Sequence, residues 1–381
     1  MANKVGPAQR RSTRLAFLAA GLAMSAWAPL VPFAKQRLTL DDASLGLLLL
    51  CLGAGSLLAM PVTGLLATRY GGRRVILWAG ALACMLLPQL AIAPTAPLLA
   101  VVLFGFGAAI GTLDVAMNLQ AVIVERDSGG ALMSGFHGLF SVGGFAGAGL
   151  MALLLWLGMQ PWPASAVVAL LAAAALAWAA PALLPEPDAH GRDSPLFVLP
   201  HGAVVLIGAL CFLCFLAEGA ILDWSAVLLT AAQGLEPGRA GLGYAAFAVA
   251  MTLGRLSGDR VVRHLGGQRV LLLGGLCAAA GFFGAVLAPS AGLALAGFGL
   301  IGLGASNIVP VLFTAAGQQR AMPAGLAIAA MSTLGYAGIL AGPALIGLIA
   351  HAASLALAFA LLGCAMLLIA ASARLGAPAR S

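Results

Sequence analysis

Residues 164–184 read ASAVVALLAAAALAWAAPALL, a run from Ala164 to Leu184 without one charged side chain. Its polar and apolar positions do not take turns, as they do along the strands of a membrane barrel. A bilayer core takes roughly 20 apolar residues to cross as a helix. A helix also satisfies its own backbone hydrogen bonds where no water is present. The run is therefore read as a membrane-spanning helix, and the rest of the chain agrees with it. Of 381 residues, 62% are hydrophobic and 8% charged, with a mean hydropathy of +1.06. A soluble domain carries roughly 25% charged residues. The 19 Lys and Arg and 12 Asp and Glu cannot furnish a polar shell for a chain of this length. The solvent must be lipid.

Working outward from that run, spans are expected at 14–34, 43–67, 74–94, 97–121, 131–157, 163–184, 202–230, 239–259, 268–288, 291–315, 322–349 and 352–373. Asp41 and Asp42 precede the second span as N-caps. Pro94-Thr95-Ala96-Pro97 is a tight turn, and Pro161-Trp162-Pro163 turns the chain at a membrane interface, where Trp is favoured. The longest polar stretch, Pro185–Pro200, holds Glu186, Pro187, Asp188, His190, Arg192, Asp193 and Pro195. It divides a first half, residues 1–185, from a second, residues 201–381, through a linker at 186–200. Lys4, Arg10, Arg11 and Arg14 before an apolar run resemble a signal peptide. Leu15–Val31 is long and lacks a small-x-small cleavage site, so it is read as an uncleaved first span.

All of the 19 Lys and Arg except Lys35, Arg37 and Arg239 fall on the side of the N-terminus. This bias orients both termini and the linker to the cytoplasm of a multi-pass protein of the cell inner membrane. The net charge of +7 does not point to nucleic acid, because the basic residues sit between apolar spans. The six cysteines lie in apolar segments, and Cys211-x-x-Cys214 has no second pair for zinc. They are read as small core residues, and neither metal nor cofactor is expected.

Gly71-Gly72-Arg73-Arg74-Val75-Ile76-Leu77 returns half a chain later as Gly266-Gly267-Gln268-Arg269-Val270-Leu271-Leu272. Gly105-Phe106-Gly107 returns as Gly297-Phe298-Gly299 at a near-equal offset. Corresponding spans carry both matches, so the chain is read as a duplicated six-helix half. Two such halves about an axis normal to the membrane, with a cavity between them at mid-membrane, is a transporter plan.

Gly64-Leu65-Leu66-Ala67-Thr68-Arg69-Tyr70-Gly71-Gly72-Arg73-Arg74 resembles the signature loop of the major facilitator superfamily. Its second-half counterpart runs from Gly254-Arg255-Leu256-Ser257-Gly258-Asp259-Arg260 to Gly266. The resemblance implies an all-helical fold of about twelve spans, with Arg69, Arg73, Arg74, Arg255, Asp259 and Arg260 in cytoplasmic gate loops. Thr68 stands where the family has an acid. The charge-relay latch that the resemblance implies, which favours the outward-open state, then rests more on Asp259. More narrowly the chain is similar to the YbjJ-like branch related to fucose permeases. The residues that carry this likeness are Trp27 with Pro32, Leu113–Asn118, Phe136-His137-Gly138, Glu218-Gly219-Ala220, Asp223-Trp224-Ser225 and Gly338 through Pro343. That likeness implies a proton-coupled carrier of small polar solutes.

Charged groups within a span are costly unless they face a cavity or a partner. Asp114 lies roughly 10 Å from the cytoplasmic end of span four at 1.5 Å per residue, and His137 lies at matched depth in span five. In contact, the two could hold or pass a proton, or form a static pair that locks two helices. Asp114 is expected to be the main coupling acid. Asn118, one turn on, lines the path or bonds a neighbouring helix. Glu218, deep in span seven, is a candidate for a central proton or solute site, whereas Asp223 lies nearer the outer end. The repeat sets Ser306 opposite Asp114, beside Asn307, so the halves differ where chemistry would sit. Trp27 and Tyr336 could stack on a sugar-like solute or simply pack. Gly143, Gly147, Gly338, Gly342 and Gly347 are spaced for close helix contact, and Pro343 would loosen span eleven.

These residues are read as those of a monomeric secondary transporter that moves a small polar solute with protons by alternating access. Efflux of amphipathic compounds is the alternative within transport, although Gly147-Ala148-Gly149 lacks the Gly-Pro form of the antiporter motif. A transport-inactive sensor on the same fold is another. No P-loop, nucleophile elbow or metal-ligand cluster points to an enzyme.

Overall fold

The structure, a computed structural model, describes residues 5–185, 199–236 and 239–376. Within them the chain is helical, with no strand. The helices are α1 (Pro7–Ser25), α2 (Val31–Arg37), α3 (Asp42–Tyr70), α4 (Gly72–Ile92), α5 (Ala96–Ser128), α6 (Met133–Trp156), α7 (Pro161–Ala179) and α8 (Ala203–Gln233). They continue as α9 (Leu242–Leu265), α10 (Gly267–Leu287), α11 (Ala291–Ala305), α12 (Ile308–Gln318), α13 (Ala324–Ala352), α14 (Leu355–Ala371) and α15 (Ala373–Gly376). Residues 186–198 of the expected linker, with its acids, His190 and Arg192, lie outside the described residues.

Ten of the helical stretches described are long and apolar enough to cross a bilayer. The remaining two of the expected spans are also helices, each short of that threshold for its own reason. α9 has 24 residues, but Arg255, Asp259, Arg260 and Arg263 dilute its hydropathy. α14 is 17 residues long.

Local chemistry places many of the helix ends. Asp41 caps α3, accepting from the Ser44 N–H at 2.7 Å. That bond holds the Asp41 carboxyl below its ordinary pKa. Thr95 caps α5 and Ser354 caps α14 in the same way. α3 and α4 meet at Gly71 with φ 87°, and α9 and α10 meet at Gly266 with φ 80°. A side chain there would strain the backbone, so the repeated glycine serves one turn built twice.

Two helical spans are interrupted. α1 gives way at Ala26–Trp27 to a 3₁₀ turn, Ala28–Leu30, before α2 resumes. Pro29 and Pro32 each withhold an N–H from this ladder. α11 stops at Ala305 and α12 starts at Ile308. Pro310, four residues past Ser306, leaves the Ser306 carbonyl without its helical donor. Pro343, by contrast, lies inside an unbroken α13.

The described chain forms two compact units. Unit 1 holds Met1–Gly130, Leu139–Leu199 and Pro323–Ala329; unit 2 holds Ala131–Gly138, Pro200–Met322 and Ala330–Ser381. The units depart from the sequence halves in two short pieces, the start of α6 and the start of α13. In unit 2 the start of α6 is held by α9. Asp259 Oδ1 accepts from the Gly135 N–H at 2.8 Å, and Arg263 Nη1 donates to the Ala131 carbonyl at 3.3 Å. In unit 1 the start of α13 comes close to α3, where a Cβ on Gly64 would lie 3.0 Å from the Gly325 carbonyl oxygen.

Between apolar helices in lipid, small residues permit close approach and hence dispersion contact. A Cβ on Gly143 would collide with the Leu18 carbonyl, and one on Gly147 with that of Leu22, so α1 and α6 touch backbone to backbone in unit 1. Gly338 meets the Phe212 carbonyl in the same way, and Gly342 faces Leu216, along α8 and α13 in unit 2. Gly347 lies under the Trp224 ring. The cysteines are free thiols. Cys84, Cys211 and Cys214 are core residues as expected, whereas Cys364 is exposed on α14.

Candidate functional site

In unit 1 Asp114 is a carboxylate in the middle of α5 and half-buried, and Glu125, nearer the end of the same helix, is a second and is buried. Asn118, one turn on and fully buried, donates from Nδ2 to the Asp114 carbonyl at 3.0 Å and to Oδ1 at 3.3 Å. The second carboxylate oxygen has no hydrogen-bond partner and no counter-cation among the described residues. Below this pair, Gln120 donates to Thr13 Oγ1 at 3.3 Å and accepts from the Leu184 N–H at 3.2 Å, which ties α5 to α1 and to the end of the first half. Trp27 stands at the break after α1. It is 5% exposed, and its indole N–H has no partner among the described residues.

In unit 2 the polar groups converge. Glu218 on α8 has Oε1 3.7 Å from Arg255 Nη2 on α9. Cys214, one turn before it, points its thiol at the same oxygen at 3.7 Å. Arg255 Nε donates to the Ser306 carbonyl at 3.4 Å, the acceptor that Pro310 leaves open. Asn307 Nδ2 donates to the Gly254 carbonyl at 3.1 Å and to Ser306 Oγ at 2.9 Å. The interruption of α11 and α12 is thus stitched to α9. His137, at the start of α6, is buried with its ring 5.4 Å from that of Phe313 and within the electrostatic reach of Arg255. Asp114 belongs to unit 1 and His137 to unit 2.

The other expected residues are more dispersed. Asp223 is exposed, beyond Glu218 on α8. Tyr336 is half-buried on α13, edge-on to Phe215 at 6.0 Å. In the first signature loop Arg69 is exposed above the Tyr70 ring at 5.4 Å, and Arg74 is exposed. Arg73 is half-buried, and its backbone N–H donates to the Leu184 carbonyl at 3.2 Å. Thr68 Oγ1 bonds back to Leu65 of its own helix. In the second, Arg260 is exposed and Asp259 caps α6.

One residue needs correcting. Arg255 was expected in a cytoplasmic gate loop, yet it is 7% exposed within α9. Gly254 and Gly258 let α11 and α12 approach there, and Glu218 with the Ser306 carbonyl compensates the guanidinium. The repeat itself held the signal. α3 runs up to Gly71, so its counterpart runs up to Gly266, which sets Arg255 about three turns inside. Cys214, a core residue as expected, also lies beside Glu218, a neighbour that its place in an apolar run does not reveal.

A family model, the Major Facilitator Superfamily, matches residues 15–323. An uncharacterised MFS-type transporter of Yersinia pestis is 58% identical over 97% of this chain and 96% of its own length. An uncharacterised transporter of Sinorhizobium fredii is 36% identical over 93% of this chain and 94% of its own. Among solved structures, the E. coli fucose:proton symporter FucP superposes with a TM-score of 0.79 at 17% identity, over 99% of this chain and 100% of that one. With matches of this extent in sequence and in fold, the chain belongs to the major facilitator superfamily.

Proposed function

We propose that this transporter carries a small polar solute together with protons by alternating access, and that Asp114 is the acid that loads and releases the proton. The observation that carries the reading is the state of the Asp114 carboxylate. It is half-buried in mid-helix, steadied on one oxygen by Asn118, and open on the other. A carboxylate without a counter-cation in an apolar helix bundle is costly when charged, so a proton is the natural partner for it. Glu218 is the second titratable position, its charge tempered by Arg255, and His137, within reach of Arg255 in the same unit, is a further proton-handling group. In unit 1 Asn118 is a hydrogen-bonding group for a hydroxyl-rich solute and Trp27 a ring face; in unit 2 Ser306, Asn307 and Asp223 are such groups and Tyr336 a ring face. A fucose:proton symporter has the same fold, which supports the solute class. The basic bias of one set of turns supports cytoplasmic termini in an inner membrane.

The test is solute-driven proton flux in proteoliposomes, across a panel of sugars and polyols, with wild type beside Asp114→Asn and Glu218→Gln. Asp114→Asn is expected to lower coupled flux at least about tenfold, the equivalent of about 1.4 kcal/mol, and to flatten its pH dependence. Unchanged uptake with an intact pH profile in that variant would remove Asp114 from the coupling role.

A further inference from the structure

At the end of α4 away from the Arg69–Arg74 turn, unit 1 holds a cavity of about 510 Å³. That size is within the roughly 300–1,000 Å³ of small-molecule sites. The exposed side chains of Phe33, Ile92 and Trp162 form its apolar rim, and Gln36, Arg37 and Gln160 supply its polar lining.

Arg37 decides what such a cavity would hold. Its Nε donates to the Ala93 carbonyl at 3.2 Å, its Nη2 to that of Leu90 at 3.1 Å, and its Nη1 to that of Ala91. These bonds cap the end of α4 and fix α2 against it. Three of the five guanidinium N–H groups are thereby used and two are left. The bonds are to neutral carbonyls, and no carboxylate pairs with Arg37 among the described residues. Its charge is met by the carbonyl end of α4 and not by a carboxylate. α7 starts at Pro161, in the wall of the same cavity, so the positive end of its dipole adds to the field there.

We propose that this cavity is the headgroup site of one anionic phospholipid, drawn from the leaflet opposite the Arg-rich turns. The phosphate sits at Arg37 and the α7 N-terminus. Headgroup hydroxyls meet the Gln36 and Gln160 amides, and an acyl chain covers Phe33, Ile92 and Trp162. A soluble anion would answer the charge and leave the apolar rim bare, whereas a purely apolar ligand would do the reverse. A phospholipid answers both.

The test is titration of the detergent-purified full chain with phosphatidylglycerol, read by native mass spectrometry and by thermal unfolding, beside glycerol 3-phosphate as the headgroup without chains. One tightly retained lipid is expected, bound at least about tenfold more weakly in Arg37→Gln, the loss of one charge-assisted hydrogen bond, and in Trp162→Ala. Arg239→Gln, which removes a cation already paired with Glu236 at 3.8 Å, should bind as wild type does. Equal retention by wild type and Trp162→Ala would overturn the proposal, as would equal stabilisation by glycerol 3-phosphate. Trp162→Ala leaves the Arg37 bonds intact and decides the matter if Arg37→Gln fails to fold.

Discussion

Arg255 and Glu218 sit in a helix bundle with side chains only 9% and 18% exposed. Their 3.7 Å separation is an ion-pair distance rather than a hydrogen bond. Removing one member of such a pair leaves an uncompensated charge and costs about 3–5 kcal/mol, whereas replacing both with apolar residues is close to neutral. The loose geometry places this pair at the lower end. Arg255→Leu and Glu218→Leu should each lower the melting temperature in detergent more than the double variant does. Losses that simply add would show that the two charges are not coupled. Arg126 and Asp127, also paired but with side chains 50% and 38% exposed, lie where solvent screens the charges and a pair contributes roughly 0–1 kcal/mol. At this scale the sequence exposed Asp114 and Glu218 as acids within helices, because a carboxylate in an apolar run stands out from its neighbours. It concealed the partner, because an Arg near a basic turn looks like part of that turn.

Among the helices, the informative events are interruptions. Pro310 withholds the N–H that would have reached the Ser306 carbonyl, and Arg255 Nε occupies the vacated acceptor. Pro310→Ala should return that donor, join α11 to α12 and release Arg255 from its anchor. The expected outcome is a higher melting temperature, since an interior proline costs a helix about 3 kcal/mol, together with slower solute uptake in vesicles. A variant unchanged in both would mean that something other than Pro310 holds the interruption open. The same scale shows an asymmetry between the repeats. In unit 2 Asp259 supplies a charged cap to the orphan N–H groups at the start of α6. In unit 1 the start of α13 meets Gly64, which has no side chain to offer.

For the chain as a whole, duplication is written into the backbone: Gly71 and Gly266 share one positive-φ turn geometry. An even number of crossings per repeat returns each half to the side on which it began. Reporter fusions after Gly129 and at the C-terminus should therefore register as cytoplasmic, and fusions near Lys35 and Arg239 as external. A C-terminal fusion found outside the cell would break both the even count and the orientation by basic residues.

Solvent and periodicity were readable from the amino acids alone. An uncharged apolar run has one stable form in lipid, and a repeated glycine turn marks where such runs join, so the helical class, the duplication and the in-span acids follow from local chemistry. Which groups compensate one another is another matter. Whether Arg255 meets water or Glu218, whether Ser306 offers a free carbonyl, and which helix starts are capped by a distant carboxylate all depend on residues far apart in the chain. Their burial is settled only when the helices pack, because the energy of a charge is a property of its surroundings and not of its position in a run.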